Sequence, residues 1–208
     1  MKSQVVKDPE YNVISLTASG RFGNVLEAYD KFNDRTVAIK RVHKKGRKVG
    51  REYMILKKIQ GCDNLVKLVN HFFSMNDRGT IIQNFVFEYV GKNLTQYIEQ
   101  YKQQNAPIPI QYIKQIIFDS LKGLANLHER NIVHRDIKTE NILIDGNIHA
   151  KLCDFGSSKI LPPAGSERKS DPYVGSPHFR APELILGKKD YSTEIDIFAL
   201  GCILAELF

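Results

Sequence analysis

The feature that most constrains this chain is a change in the period of its apolar residues near its middle. From Tyr11 to about Phe87, short runs rich in β-branched and aromatic residues alternate with turn signals: "YNVISL", "NVLEAYD", "TVAIKRV", "VKLVNHFFS" and "IIQNFVFEYV". One segment interrupts them, "GREYMILKKI", whose Tyr53, Leu56 and Ile59 recur near helical spacing beside Glu52, Lys57 and Lys58. Beyond Gly91, "NLTQYIEQYKQQ" and "PIQYIKQIIFDSLKGLANLHER" carry apolar residues at spacings of three and four. The expectation is an α+β chain with a small, mostly antiparallel sheet and one helix, followed by a mainly helical part. The break falls at "EYVGKN", Glu88 to Asn93, where a strand meets a glycine and a helix-capping asparagine, so a hinge is expected there.

Composition narrows the function classes. With 42% hydrophobic and 25% charged residues the chain is ordinary globular material rather than disordered. No apolar run approaches the roughly 18 residues of a membrane span, and "MKSQVVKDPE" lacks the apolar core of a secretory signal. The expectation is a soluble cytoplasmic protein without a membrane partner. Cys62, Cys153 and Cys202 are too scattered for a disulfide framework or a metal-ligand pair, so reduced, buried thiols are expected. The net charge of +7 is densest in "HKKGRK", His43 to Lys48. That run lacks interleaved aromatics and belongs to no nucleic-acid recognition module, so it reads as a solvated loop; a nuclear address is the weaker alternative.

Several short stretches carry chemistry. In "ASGRFGNV", between two strand candidates, Gly20 and Gly23 allow a hairpin backbone to approach phosphate oxygens, although a glycine pair in a hairpin is also simply a turn. "VAIK" ends a strand on Lys40, which is either an edge residue or a buried cation in need of a carboxylate such as Glu52. Then come "IVHRDIKTEN" (Ile132 to Asn141), "KLCDFG" (Lys151 to Gly156) and "APE" (Ala181 to Glu183).

The order and spacing of these elements resemble the protein-kinase signature set over essentially the whole chain. The resemblance implies a bilobal fold, with an N-lobe over residues 11–87, a hinge at 88–93 and a partial C-lobe over 94–208. It implies transfer of phosphoryl from Mg²⁺-bound ATP, a reaction governed by positioning and electrostatics. By resemblance Gly20, Phe22 and Gly23 cap the phosphates, Lys40 holds them, and Glu52 orients Lys40. Val25, Ala38 and Leu143 sandwich adenine, Phe87 guards the rear of its pocket, and the backbone from Glu88 to Val90 binds its edge. Asn141 and Asp154 are implied metal ligands, Asp136 the base, and Lys138 a cation for the γ-phosphate that points to serine and threonine substrates. His134 is expected in the core and Cys153 as a packing residue.

Finer features resemble the glycogen synthase kinase 3 subfamily: the Lys40 to Glu52 interval, Arg51 before Glu52, and Tyr173 eight residues before Ala181, where that subfamily carries a phosphorylated tyrosine. Arg51, Arg135 and Lys159 match basic positions that form a pocket for a phosphate already on the substrate, which implies pre-phosphorylated protein substrates. Three departures stand out: "SPHFR" (Ser176 to Arg180) replaces a tyrosine-rich segment, "IQGCDNLVKL" is one residue longer, and Ala18 replaces the first loop glycine. The family resemblance also implies that Asp196 anchors the catalytic-loop backbone and that the chain is C-terminally truncated, leaving Glu183 without its arginine and the last helix with exposed apolar faces. Two functions follow, a serine/threonine kinase or a non-catalytic remnant that binds nucleotide or competes for kinase partners. Oligomeric state is left open.

Overall fold

The computed structural model describes residues 11–20, 23–162 and 170–208, with no side-chain detail at 19 and 20. The chain divides into two compact units, one made of residues up to 50 together with 67–89, the other of residues 51–66 together with 90–208. The second boundary falls between Tyr89 and Val90, within Glu88 to Asn93. Among the described residues no helix is long and apolar enough to cross a membrane.

The first unit is a five-stranded antiparallel sheet in the order β1-β2-β3-β5-β4. Its strands are β1 (Tyr11–Gly20), β2 (Gly23–Asp30), β3 (Arg35–Lys44), β4 (Leu68–Met75) and β5 (Ile81–Glu88). Each overlaps one of the β-rich runs, β4 starting two residues after the start of "VKLVNHFFS" and β5 ending two residues before the end of "IIQNFVFEYV". Side chains alternate between the two faces of a strand, so register decides which residues share a face. Leu26, Ile39 and Val86 form one cross-strand row and Ala28 sits opposite Val37, and these residues build the apolar core of the unit with Tyr11, Val69 and Phe72 against them. In β5 six consecutive residues are buried, which suits the unbroken run "IIQNFVFE" of an interior strand. Its two buried polar side chains are satisfied locally: Gln83 lies 2.8 Å from the His71 ring, and the Asn84 amide donates to Ser74 Oγ at 2.8 Å.

The second unit begins with α1 (Arg51–Lys58), the helix that interrupts the strands in sequence. Buried Ile55 and Leu56 form its inner face, and it packs on the turn at Phe155–Ser157. The following segment is pinned within the same unit, because Val66 N–H donates to the Leu152 carbonyl and Asn64 Nδ2 to the Ala150 carbonyl. A two-residue strand, β6 (Lys92–Asn93), leads into α2 (Leu94–Gln103). Asn93 caps that helix reciprocally: Gln96 N–H donates to Asn93 Oδ1 at 2.9 Å, and Asn93 N–H to Gln96 Oε1 at 3.0 Å. Just before it, Gly91 has φ +140°, and a Cβ there would lie 2.6 Å from the Ile144 carbonyl oxygen. Only glycine fits.

Helix α3 (Ile110–His128) buries Ile113, Ile116, Leu124 and Leu127. It is followed by β7 (Ile132–Val133), β8 (Ile142–Ile144), β9 (Ala150–Leu152) and β10 (Lys159–Ile160), which form the pairs β7–β10 and β6–β8–β9. The unit closes with α4 (Pro182–Ile185) and α5 (Glu194–Glu206). Val133, Leu161, Ala181, Leu184, Tyr191 and Ile195 make one core cluster. Helix α5 is apolar on nearly every side: Ile195, Ala199, Leu200 and Ile203 are buried, while Ile197, Phe198, Leu204 and Phe208 just beyond it are exposed.

Candidate active site

In the sheet unit, Val25 stands opposite Lys40 and Lys40 opposite Phe85, while Ala38 stands opposite Phe87. Directly paired residues project to the same side, and so do residues two apart. Val25, Ala38, Lys40 and Phe87, drawn from three strands, therefore share the face opposite the Leu26–Ile39–Val86 core. Lys40 is only 6% exposed. Glu27, which the sequence reading did not single out, lies on that face opposite Ala38. Gly20 pairs with Gly23 where β1 turns into β2; Phe22 lies outside the described residues. Gly23 has φ +121°, and a Cβ would stand 1.9 Å from the Arg41 carbonyl oxygen, so this backbone position excludes every other residue. Glu88 is tied to the chain beside it, accepting Lys67 N–H on Oε1 and donating its own N–H to the Lys67 carbonyl.

In the helical unit the stretch Ile132 to Asn141 is built around a strained backbone. Arg135 has φ +68°, a left-handed conformation that costs a non-glycine residue about 1–3 kcal/mol. Asp196, in the first turn of α5 and 1% exposed, offsets that cost: Oδ1 accepts Arg135 N–H at 2.9 Å and Oδ2 accepts His134 N–H at 2.8 Å. His128, the last residue of α3, places Nε2 2.9 Å from Oδ2 of the same carboxylate. The His134 ring lies 2.9 Å from the Cys153 carbonyl through Nε2 and 3.3 Å from Asp136 N–H through Nδ1, so both ring nitrogens serve the backbone. It packs edge-on against Phe155. Among the described residues Cys62, Cys153 and Cys202 form no disulfide; Cys62 is buried as expected, whereas Cys153 and Cys202 are only partly buried, a correction to the expectation for those two.

Asp136 is buried and closely held. Its Oδ1 accepts the Ser176 hydroxyl at 3.0 Å, and its Oδ2 accepts Asn141 Nδ2 at 3.2 Å and lies 3.4 Å from Lys138 Nζ. Asn141 Nδ2 also donates to the Asp136 carbonyl at 2.8 Å, so the amide nitrogen is committed and the amide oxygen is the group left to serve as a ligand. Asn141 O accepts Cys153 N–H at 2.9 Å, which ties this loop to the residue before Asp154. Asp154 is itself left-handed at φ 60°, with Oδ1 accepting Gly156 N–H at 3.2 Å. One carboxylate and one amide oxygen suit a hard divalent cation that keeps water and phosphate in its remaining positions. Leu143 is half-buried in β8, between buried Ile142 and Ile144. Glu52 lies in the first turn of α1.

The three predicted phosphate-pocket residues also fall in this unit. The Lys159 pKa is lowered, first by burial and then by the positive charges of Arg135 and Arg51, so the three cations share one electrostatic environment. Lys159 Nζ donates to Ser170 Oγ at 2.7 Å. Arg135 is fixed by Nε donating to the Ser157 carbonyl at 2.7 Å and Nη1 to Tyr191 OH at 3.1 Å, and that hydroxyl donates to the Asp171 carbonyl. Tyr173 is 79% exposed, its N–H bonded to Asp171 Oδ1. Ser176, Tyr191, Ser170 and His128 were missed from sequence, because each acts through a contact distant along the chain. The one available signal was the hydroxyl in "SPHFR".

Comparison with known proteins gives the family. The protein kinase domain family matches residues 11–208, and the chain belongs to that family. Its sheet unit and mainly helical unit are the two parts of the α+β kinase fold. The chain is 38% identical over 204 residues to the protein kinase gsk3 of Schizosaccharomyces pombe, covering 97% of this chain and 52% of that protein. It is 36% identical over 201 residues to a probable serine/threonine-protein kinase, the MRK1 homolog of Encephalitozoon cuniculi, covering 97% and 60%. With the probable serine/threonine-protein kinase glkA of Dictyostelium discoideum it shares 38% identity over 197 residues, covering 95% and 39%. The chain thus spans 60% or less of each of these curated relatives.

Proposed function

We propose that this chain carries the catalytic residues of a serine/threonine protein kinase that moves the γ-phosphoryl group of ATP to hydroxyls of protein substrates. The observation that carries the reading is Asp136, which holds an alcohol, Ser176 Oγ, on one carboxylate oxygen while Asn141 and Lys138 orient the other. A substrate serine or threonine taking the Ser176 position would donate its proton to Asp136 as its oxygen attacks phosphorus and ADP departs. Lys138 would offset the charge of the transferring group, and Lys40 would grip the remaining phosphates. Asn141 and Asp154 would hold Mg²⁺, which neutralises phosphate charge when bound.

Substrates bearing a prior phosphate belong to the same proposal, since Arg51, Arg135 and Lys159 would meet a dianion with charge-assisted hydrogen bonds. The first test is transfer from Mg-ATP to a serine peptide by the purified protein, with Asp136→Asn and Lys40→Ala alongside. Transfer lost in both variants supports the kinase; equal ADP release by all three removes it and leaves the non-catalytic remnant. A phosphoserine-containing peptide preferred over its unphosphorylated twin, with the preference abolished by Lys159→Ala, supports priming.

A further inference from the structure

We propose that Asp119 is a positioning residue for the proposed metal ligand Asp154: from the buried side of α3 it fixes the start of β9, the short strand that leads to Asp154. This rests on the phosphoryl-transfer reading, in which Asn141 and Asp154 hold the cation. Asp119 is only 4% exposed. Its Oδ2 meets two adjacent residues 31 and 30 positions along the chain, accepting Ala150 N–H at 3.0 Å and lying 3.2 Å from His149 Nδ1. Gln115, one turn earlier on the helix, brings its side-chain amide to 3.4 Å from the same ring nitrogen. A buried carboxylate is costly unless it is paired and hydrogen-bonded, and here its partners are the end of one turn and the first residue of β9.

What these contacts restrain is a turn under strain. Ile148, just before His149, has φ +67°, a left-handed backbone that a β-branched side chain rarely adopts. Such a conformation persists only where its surroundings over-determine it. Asp145 holds the turn from its near end, with Oδ1 accepting the N–H groups of Asn147 and His149, both at 2.9 Å. Asp119 holds it from the far end. The fixed reference is α3, a 19-residue helix with its own buried face. At Gly123 it approaches the strand so closely that a Cβ would lie 2.8 Å from the Asn64 carbonyl oxygen and 3.1 Å from the Leu152 side chain. Strand β9 is three residues long and pairs with β8 only over Ile142–Leu152, Leu143–Lys151 and Ile144–Ala150. Asp154 stands two residues beyond it, after Cys153, whose N–H donates to the Asn141 carbonyl at 2.9 Å. A slip or tilt of β9 therefore changes the spacing between Asn141 and Asp154, the two residues assigned to one ion. Asp119 acts on that spacing through the three residues of the strand.

The test compares the whole chain as wild type, as Asp119→Ala, which removes the acceptor, and as Asp119→Asn, which keeps one oxygen for Ala150 N–H. Two readouts are taken. The first is the Mg²⁺ concentration for half-maximal phosphate transfer, with kcat at saturating Mg²⁺; the second is hydrogen exchange at the Ala150 and Leu152 amides in metal-free protein. In the Ala variant the half-maximal Mg²⁺ concentration should rise about tenfold, the low end for losing a group that orients a metal ligand, while kcat at saturating Mg²⁺ stays within about threefold. Exchange at the two amides should accelerate, while that of buried amides in α5 stays near wild type. The Asn variant should bring the Mg²⁺ requirement back to within about threefold of wild type. Asp119→Leu, closer in volume and equally without an acceptor, takes the place of Ala if the cavity prevents folding. A side chain that only stabilised the fold would lower the denaturation midpoint and leave the Mg²⁺ requirement where it was; that result overturns the proposal, and so does an Asn variant as impaired as Ala. If wild type and Asp136→Asn transfer phosphate equally, the kinase reading falls, and the exchange measurements still decide whether Asp119 holds β9.

Discussion

The two units assemble their candidate functional residues in opposite ways. On the sheet, Val25, Ala38, Lys40 and Phe87 come from three strands, yet strand period and antiparallel register alone bring them to one face. In the helical unit, Arg135, Asp136, Lys138 and Asn141 are close neighbours in sequence, yet their arrangement depends on Ser176 and Asp196, 40 and 61 residues away from the groups they bind. The sheet site should therefore tolerate changes that preserve alternation, whereas the loop site should fail through distant partners.

The largest effect that would sharpen this contrast is chemical. Asp136→Asn should lower kcat about a thousandfold with little change in stability, read by phosphate transfer and chemical denaturation of the same preparation. Next comes Asp196→Ala, remote from the chemistry. It should cost about 3 kcal/mol, because two buried backbone donors lose their acceptor, and a denaturation midpoint unchanged from wild type would break the comparison. In the sheet, Lys40→Ala should lower kcat/KM by about a hundredfold while the sheet itself stays folded, checked by steady-state kinetics beside far-ultraviolet dichroism.

A smaller effect tests the cationic cluster. Burial and the Arg135 and Arg51 charges penalise charged Lys159 in the folded chain, so the folded state loses that proton at lower pH than the unfolded state. The unfolded chain then binds more protons between the lowered value and the ordinary lysine value, and stability should rise with pH through that window. Lys159→Met should flatten the slope. A phosphopeptide at a hundred times its Kd should stabilise wild type by about 2.7 kcal/mol and the Met variant less, measured by thermal shift. Smallest of all, Asn93→Ala should cost about 1 kcal/mol by removing the reciprocal cap of α2, without altering KM for ATP.

Legibility followed the same division. The five strands of the first unit, the Asn93 cap and the long helix from Ile110 were readable, because period, capping chemistry and turn residues act over a few positions; the short strands β6 to β10 were not. The grouping of residues 51–66 with the helical unit was not. A local pattern marks an amphipathic helix without saying what its apolar face will meet, and here that includes the turn at Phe155–Ser157. Likewise "HRD" identified Asp136, but nothing near it in sequence pointed to the Ser176 hydroxyl on its carboxylate.

The amino-acid sequence by itself determined the residue types available for chemistry, the strand and helix periods, and the capping asparagine of α2. These are properties of single residues and of neighbours within one turn or one strand. Only the tertiary structure decided that Asp196 would meet two consecutive amides and His128, that Lys159 would share its surroundings with two arginines, and that Ser176 would rest on Asp136. Such contacts carry long-range closure entropy and pair buried charges, so they exist only once the whole helical unit has packed.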